Sequence, residues 1–473
     1  MPIPVITVAQ MREWEKASWA AGKSESDVIR QVGRIVAQAA MSLTGSGDSI
    51  LILAGKGHNG EDARYAREHL NDRTVELLAV KDPDADFPKL EALLSSSPAL
   101  VIDGLFGIGI NRPLETPWIK FIERINAARL TVLAVDVPSG LNADSGDVLG
   151  AAIEAAMTLT IGAPKIGLLQ HHASRYVGRL VVAKNPGLID CPFQGELNWI
   201  APKDFRGFPP RRPVEGHKGT FGHLAIVAGS LGYHGAAVLA SRGAQRAQPG
   251  LITLFAQERA YIPIASQLQA VMVHVWPPPT KLPANFSAIL VGPGLAAPDV
   301  PEDLTDTVRR LWRESAVPVI ADASALDWLP MGPVQKNALR VVTPHPGEAA
   351  RLLKSTAARV QADRKASLRA LSRQLGNAWV VLKGHQTLIG RADGPMFVNS
   401  SGNPFLGQGG SGDSLSGYLA GLLAQRALQE DPGRTIRFAV WQHGAAADLL
   451  SRTRPNWIVE DLLETLGSAG KSP

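Results

Sequence analysis

NSSGNPFLGQGGSGDSLSGYLAGLLAQ (399–425) is the stretch on which the reading of the fold turns. Four glycines fall within residues 407–412, and Asp413 follows them at the head of an apolar, helix-forming run. Glycines in that number leave backbone N–H groups free to line a concavity for a phosphoryl group. An aspartate at the positive end of a helix stays ionised and stands ready to accept a hydroxyl proton. Neutralised charge beside a positioned base is what phosphoryl transfer to an alcohol requires. The loop is not of the Walker type, because no Gly-Lys-Ser or Gly-Lys-Thr follows the glycines. A plain turn capped by Asp413 is the simpler alternative, but it has no use for so many glycines.

Outward from this segment, strand-like runs alternate with helical ones. HLAIVAG (223–229), LITLFA (251–256), SAILVGPG (287–294), VPVIADA (317–323), LRVVTPH (339–345) and AWVVLKG (378–384) read as buried strands. GAAVLASRGAQRA (235–247) reads as a helix, and two more are predicted over 406–428 and 434–450. Such alternation implies a parallel sheet with crossover helices, whose ligands gather at the carboxyl ends of the strands. Several of those ends carry chemistry. VVLKGHQTLI (380–389) offers Lys383 and Gly384 to a nucleotide phosphate or adenine edge. VVTPHPGEAARLL (341–353) places His345 between two prolines and Glu348 at a helix start. Alone, His345 would read as a structural polar residue.

The chain before residue 186 repeats the alternation. After two helical stripes in the first 40 residues come SGDSILILA (46–54), DARYAREHL (62–70), TVELLAV (74–80), PALVID (98–103), PWIKFIERINAA (117–128) and LTVLAVD (130–136). A stretch rich in proline and glycine, 186–219, marks the junction. Two α/β domains are therefore expected, over 1–195 and 200–473. In the first, GKGHNG (55–60) fits G-x-G-x-x-G between a strand and a helix, a weak signal by itself. An ordinary dinucleotide fold also wants an acid just past the next strand, and Glu76 lies inside it. Asn59, Asp103 and Ser139 offer hard oxygen ligands from three neighbouring loops, with no histidine–cysteine cluster, which suits an alkali or alkaline-earth cation rather than zinc. The aspartates alone would also serve as turn caps.

GKGHNGEDA, VIDGLFGIGINRP (101–113), AVDVPSGLNADSG (134–146) and TIGAPKIGL (160–168) resemble, in order, the motifs of the NAD(P)H-hydrate epimerase domain. The resemblance implies a Rossmann-like domain interconverting the R and S hydrates of NADH and NADPH. It implies a potassium ion on Asn59, Asp103 and Ser139. It places the hydrated nucleotide against His58, Asn59, Gly60, Glu61 and Asp62, and against Gly107, Ile108, Gly109, Ile110, Asn111, Arg112 and Pro113. Asp136 takes the acid/base role; Lys165 reads as a helper to it or, more simply, as a surface or phosphate-contacting lysine. Where the family's loop runs Asn-Asn-Gly-Gly-Asp-Gly, this chain has His58 to Ala63, so Glu61 adds like charge beside a pyrophosphate while the ion ligand stays.

HKGTFGHLAIVAGSLGYHGAA (217–237), VGPGL (291–295), TPHPGEAARLL, LKGHQTLI, SGNP and GGSGD are similar, in order, to the ADP-dependent (or ATP-dependent) NAD(P)H-hydrate dehydratase domain, which is ribokinase-like. That similarity implies activation of the C6 hydroxyl of the S hydrate by a nucleotide phosphoryl group and then loss of phosphate. Asp413 would be the base. Lys383, Gly384, His385, Gln386, Thr387 and Gly412 would contact ADP or ATP, with magnesium, and Ala237, Gly294 and His345 would contact the hydrate. VIADASAL (319–326) keeps the family's aspartate at Asp322 but has Ser324 where a second often stands.

Composition narrows the remaining classes. Against 43 acidic residues, 48 Lys and Arg leave a net charge of +5 over 473 residues, too slight an excess for a nucleic-acid stripe. With 45% hydrophobic and 19% charged residues the chain is neither disordered nor a coiled coil. A single cysteine, Cys191, forbids an internal disulfide. No signal peptide or lipid-spanning helix is expected, so a cytoplasmic protein is; a homo-oligomer is also expected, and the resemblance implies hydrated NADH or NADPH and an adenine nucleotide as its partners. The alternative is a ribokinase-like small-molecule kinase with a non-catalytic nucleotide-binding N-terminal domain.

Overall fold

The computed structural model describes residues 2–276, 285–298, 300–335 and 339–468. The chain divides at Glu196, with one compact unit from Ile3 to Glu196 and another from Leu197 onward. In the first, six strands form a parallel sheet: β1 (Ser49–Ala54), β2 (Thr74–Ala79), β3 (Leu100–Gly104), β4 (Val132–Val135), β5 (Met157–Thr160) and β6 (Arg179–Val182). Their order is β2-β1-β3-β4-β5-β6. Alternate residues feed two cores. Ile50, Ile52, Ile102 and Leu133 pack on one face, and Leu51, Leu53, Val101 and Ala134 on the other. Both faces are covered, which is why these strands read as continuous apolar runs. Chain direction across the sheet reverses between β1 and β3, so the loops after those two strands open onto the switch-point crevice.

Helices α1 (Val8–Ala20) and α2 (Glu25–Leu43) account for the early helical stripes. The helix read from residue 62 starts earlier. α3 spans His58–Ala66 with Gly57 as its cap, so the second half of GKGHNG is the helix's first turn, not a loop. A Cβ on Gly60 would strike the Gly55 carbonyl, so only glycine allows that turn to sit on the strand end.

In the second unit the strands are β7 (Leu197–Trp199), β8 (His223–Val227), β9 (Leu251–Ala256), β10 (Met272–Val275), β11 (Ala288–Val291), β12 (Val319–Ala321), β13 (Arg340–Val342), β14 (Trp379–Leu382), β15 (Leu388–Gly390) and β16 (Met396–Val398). They lie in the order β7-β16-β15-β14-β13-β12-β11-β8-β9-β10. All pairs are parallel except those of β15, which is antiparallel to β14 and β16. The switch point here falls between β8 and β11. Helices α4 (His234–Ala247), α5 (Ser411–Leu423) and α6 (Pro432–Thr453) close one face over a core that includes Ile226, Leu290, Ile320 and Val341. α4 and α5 approach unusually closely: a Cβ on Gly243 or Gly417 would run into the other helix's backbone. The helix predicted from 406 begins only at Ser411, because Gly410 adopts φ +92° and caps it. Among the described residues no helix is long and apolar enough to cross a membrane.

Candidate active sites

The site of the second unit forms where three strand ends meet the first turn of α5. Asp322 follows β12, Thr343 follows β13, and Lys383 follows β14. Lys383 Nζ lies 2.9 Å from Asp322 Oδ1 and 3.8 Å from Glu348 Oε2. Thr343 Oγ1 donates to the same Asp322 oxygen at 2.7 Å. A Cβ on Gly412 would stand 3.4 Å from Lys383 Nζ, so the ammonium abuts the head of α5 beside Asp413. Burial draws the Lys383 ammonium down, but Asp322, Glu348 and Asp413 outweigh it and the net shift is upward.

Asp413 was expected to stay ionised at the positive helix end. Burial, and then the charge of Asp322, outweigh Lys383 and lift it to about 6. The helix end does not dominate, because two carboxylates crowd the same pocket. A base of that pKa suits catalysis near neutral pH better than an ordinary aspartate. Behind it, His443 is buried and pulled down to about 4, so a neutral imidazole meets Ser414 Oγ at 3.1 Å.

His345 caps the helix Pro346–Leu352. Its Nδ1 accepts from Gly347 N at 3.0 Å, and its own N–H donates to Glu348 Oε2 at 2.7 Å. The structure thus joins His345, Glu348, Lys383, Gly412 and Asp413 into one contiguous set. Gly384 to Thr387 continue the loop beyond Lys383. Gly294 (φ +65°) and Ala237 lie at the switch point, where Ser230 Oγ donates to the Gly294 carbonyl at 2.7 Å. Ala237 is wholly buried, so its methyl group belongs to the core.

In the first unit, Asp103 ends β3 and is fully buried. It accepts from Ser139 N at 2.8 Å, from Ser139 Oγ at 2.6 Å and from Leu105 N at 3.2 Å. Asn59 Nδ2 donates to the Phe106 carbonyl at 2.9 Å, which turns Asn59 Oδ1 the other way, buried and without a hydrogen-bond donor. Gly107 stands against it: a Cβ there would lie 3.6 Å from that oxygen. Burial raises Asp103 to about 6 even though its three donors oppose the shift. A buried carboxylate so strained, beside an orphaned amide oxygen, fits a cation held by oxygens alone. Phe106, absent from the expected ligands, brings a carbonyl to the same place. Among the described residues no cluster of three His, Cys, Asp or Glu side chains suits a metal ion.

Asp136 follows β4 at φ +64°, a strained setting for a residue with a side chain. Its Oδ1 accepts from Lys165 Nζ at 2.5 Å, Ile161 N at 2.9 Å and Thr160 Oγ1 at 3.2 Å, contacts that hold the strain in place. Lys165 is therefore not the surface lysine expected. It is wholly buried, and it also donates to the Ile161 carbonyl at 2.9 Å. Asp62 faces the same region: burial, then the charge of Asp136, push it well above the usual carboxylate range. His58 is exposed and points to Glu25 at 3.4 Å. Ala63 packs inward in the core. Gly109 and Asn111 to Pro113 are exposed, whereas Ile108 packs beside Met11 and Trp14.

Comparisons with known proteins follow this division. Residues 224–466 match the NAD(P)H-hydrate dehydratase family, and residues 73–167 match the N-terminal domain of YjeF-related proteins. A protein of Gloeobacter violaceus called a bifunctional NAD(P)H-hydrate repair enzyme is 34% identical over 94% of this chain and 93% of its own. One of Coxiella burnetii with the same description is 33% identical over 93% of each. The crystal structure of the ADP/ATP-dependent NAD(P)H-hydrate dehydratase of Bacillus subtilis, co-crystallised with ATP and Mg2+, is 31% identical. It superposes with a TM-score of 0.51, covering 57% of this chain and 95% of that one.

Proposed function

The chain belongs to the bifunctional NAD(P)H-hydrate repair enzymes, and from that premise we propose how its two units share the work. Residues 200–473 dehydrate the S hydrate of NADH and NADPH with ADP or ATP as co-substrate. Residues 1–195 interconvert the R and S hydrates, so that both epimers reach the dehydratase.

In the second unit Asp413 takes the proton of the C6 hydroxyl while that oxygen attacks the terminal phosphorus of the nucleotide. The bond from this phosphorus to the bridging oxygen breaks, and AMP leaves when ADP is the donor. The C6–O bond then breaks with loss of a C5 proton, giving phosphate and the restored double bond. Lys383, Gly384, His385, Gln386, Thr387 and Gly412 hold the nucleotide, whose phosphate charge magnesium and the Lys383 ammonium neutralise. Gly294 and His345 border the hydrate, while the expected third contact, Ala237, stays in the core. The observation that carries this reading is Asp413 in the first turn of a glycine-capped helix, with the Lys383 ammonium set against that turn.

In the first unit Asn59, Asp103 and Ser139, with the Phe106 carbonyl, would hold potassium, which supplies positive charge beneath the bound nucleotide. The orphaned Asn59 Oδ1 supports this. His58–Asp62 and Gly107–Pro113 line the nucleotide's path. Asp136 moves the proton, oriented by Lys165. We further propose a cytoplasmic homo-oligomer.

The test is stoichiometric. With the S hydrate of NADH and ADP, the chain should return dihydronicotinamide absorbance and release one AMP and one phosphate per NADH. A stable phosphorylated product with no absorbance return would instead identify a kinase.

A further inference from the structure

The loop Lys383–Thr387 is held from outside by one side chain. Arg364, half-buried, opens the helix Arg364–Gln374. Its guanidinium donates to four main-chain carbonyls of the loop and its approach: His385 at 2.6 Å, Leu382 at 3.0 Å, Gln386 at 3.3 Å and Lys383 at 3.4 Å. A Cβ on Gly384 would lie 3.5 Å from a guanidinium nitrogen. The loop is also bent out of ordinary conformation, with φ +133° at Gly384 and +52° at Gln386. The helix does not explain this arginine, since a cation at a helix N-terminus opposes the dipole.

In a trans peptide the carbonyl and the following N–H point in opposite directions. Turning the carbonyls of Leu382, Lys383, His385 and Gln386 toward Arg364 therefore turns the amides of Lys383, Gly384, Gln386 and Thr387 away from it. The Lys383 amide is taken by the Pro344 carbonyl at 2.9 Å. The amides of Gly384, Gln386 and Thr387 make the opposite wall, of the kind that receives an anion, with a fixed positive charge behind it. Only a planar fork of donors reaches so many carbonyls at once; an ammonium does not.

We propose that Arg364 is a positioning residue for the adenine nucleotide: it folds the 383–387 loop so that its amides face the phosphates. This rests on the reading that the loop seats ADP. The experiment measures KM for ADP, KM for the S hydrate and kcat for Arg364→Ala and Arg364→Lys in the full chain. Gly384→Ala and Thr387→Val serve as variants within the loop itself. Arg364→Ala should raise KM for ADP roughly 10- to 100-fold, the loss expected when charged hydrogen bonds to the loop go. Its kcat should stay within about threefold, Arg364→Lys should fall between, and millimolar guanidinium should restore part of the ADP affinity of Arg364→Ala. Unchanged KM for ADP in Arg364→Ala, with Gly384→Ala raising it, would overturn the inference alone. Unchanged KM for ADP in every variant would overturn the nucleotide seat itself. Equal loss toward ADP and hydrate without guanidinium rescue would reduce Arg364 to a structural residue and also overturn the proposal.

Discussion

Asp413→Asn should make the enzyme slower and more stable at once. The carboxylate is raised from an ordinary value of 3.8 to about 6 by burial and by Asp322. Keeping it ionised in the fold at pH 7 therefore costs the protein stability. A shift of about 2 units is worth about 3 kcal/mol, and solvent reaching this half-buried group reduces that to about 1–3 kcal/mol. Because the folded pKa is raised, the group stabilises relative to its charged form below about pH 4. That advantage is lost as pH rises through about 6. The stability gain of Asp413→Asn over the parent should thus be absent near pH 4, grow toward pH 6 and level off above it. Calorimetry across that range reads it directly. Dehydration should fall by roughly 100- to 10,000-fold, as expected on removal of a general base. In the parent, kcat/KM should rise with pH through about 6. A variant that dehydrates within about tenfold of the parent, or that is less stable than the parent at pH 7, would refute the assignment.

Two more predictions concern the first unit. Lys165→Met leaves Asp136 charged and buried without its cation, a change that costs about 3–5 kcal/mol; calorimetry should show the first unit destabilised, with epimerisation lost and dehydration of pure S hydrate retained. Asn59→Leu removes the orphaned oxygen and keeps the side chain's bulk, so epimerisation should lose its dependence on potassium when potassium is exchanged for a large organic cation, while the parent's rate falls about tenfold or more in that exchange.

The sequence made the frame legible because buried parallel strands are continuous apolar runs and their glycine-rich ends are conspicuous. Ile50–Leu53 and Ile226–Val227 announce themselves in this way. Elements with weaker patterns escaped. Pro83–Ser95 carries three acidic residues and an internal Pro88, and Arg364–Gln374 is largely polar, so neither shows a clear apolar stripe. Leu388–Gly390 and Met396–Val398 form a short antiparallel return that breaks the strand–helix rhythm. In the site, Asp413 and Asp103 stood out because each sits at a strand or helix end, and Ser139 because it follows one in the next loop. The partners that tune them were not. Lys165 reaches Asp136 across 29 residues and Lys383 reaches Asp322 across 61. No local pattern encodes such a meeting; it exists only once the sheet sets those strand ends side by side. The helix start at His58 was missed because three glycines in six residues read as a loop, when one of them, Gly60, serves to let the helix rest on the strand end.

If one chain carries two sequential activities, a single time course measures both. A mixture of R and S hydrated NADH with excess ADP is followed by dihydronicotinamide absorbance, with the parent and with Asp136→Asn. The parent should restore all of the absorbance in one phase when epimerisation keeps pace. Asp136→Asn should restore the S fraction at the parent's rate and the rest only as fast as the R hydrate epimerises unaided. Identical single-phase curves for both proteins, or no return of absorbance with the parent on either ADP or ATP, would contradict the two-activity reading.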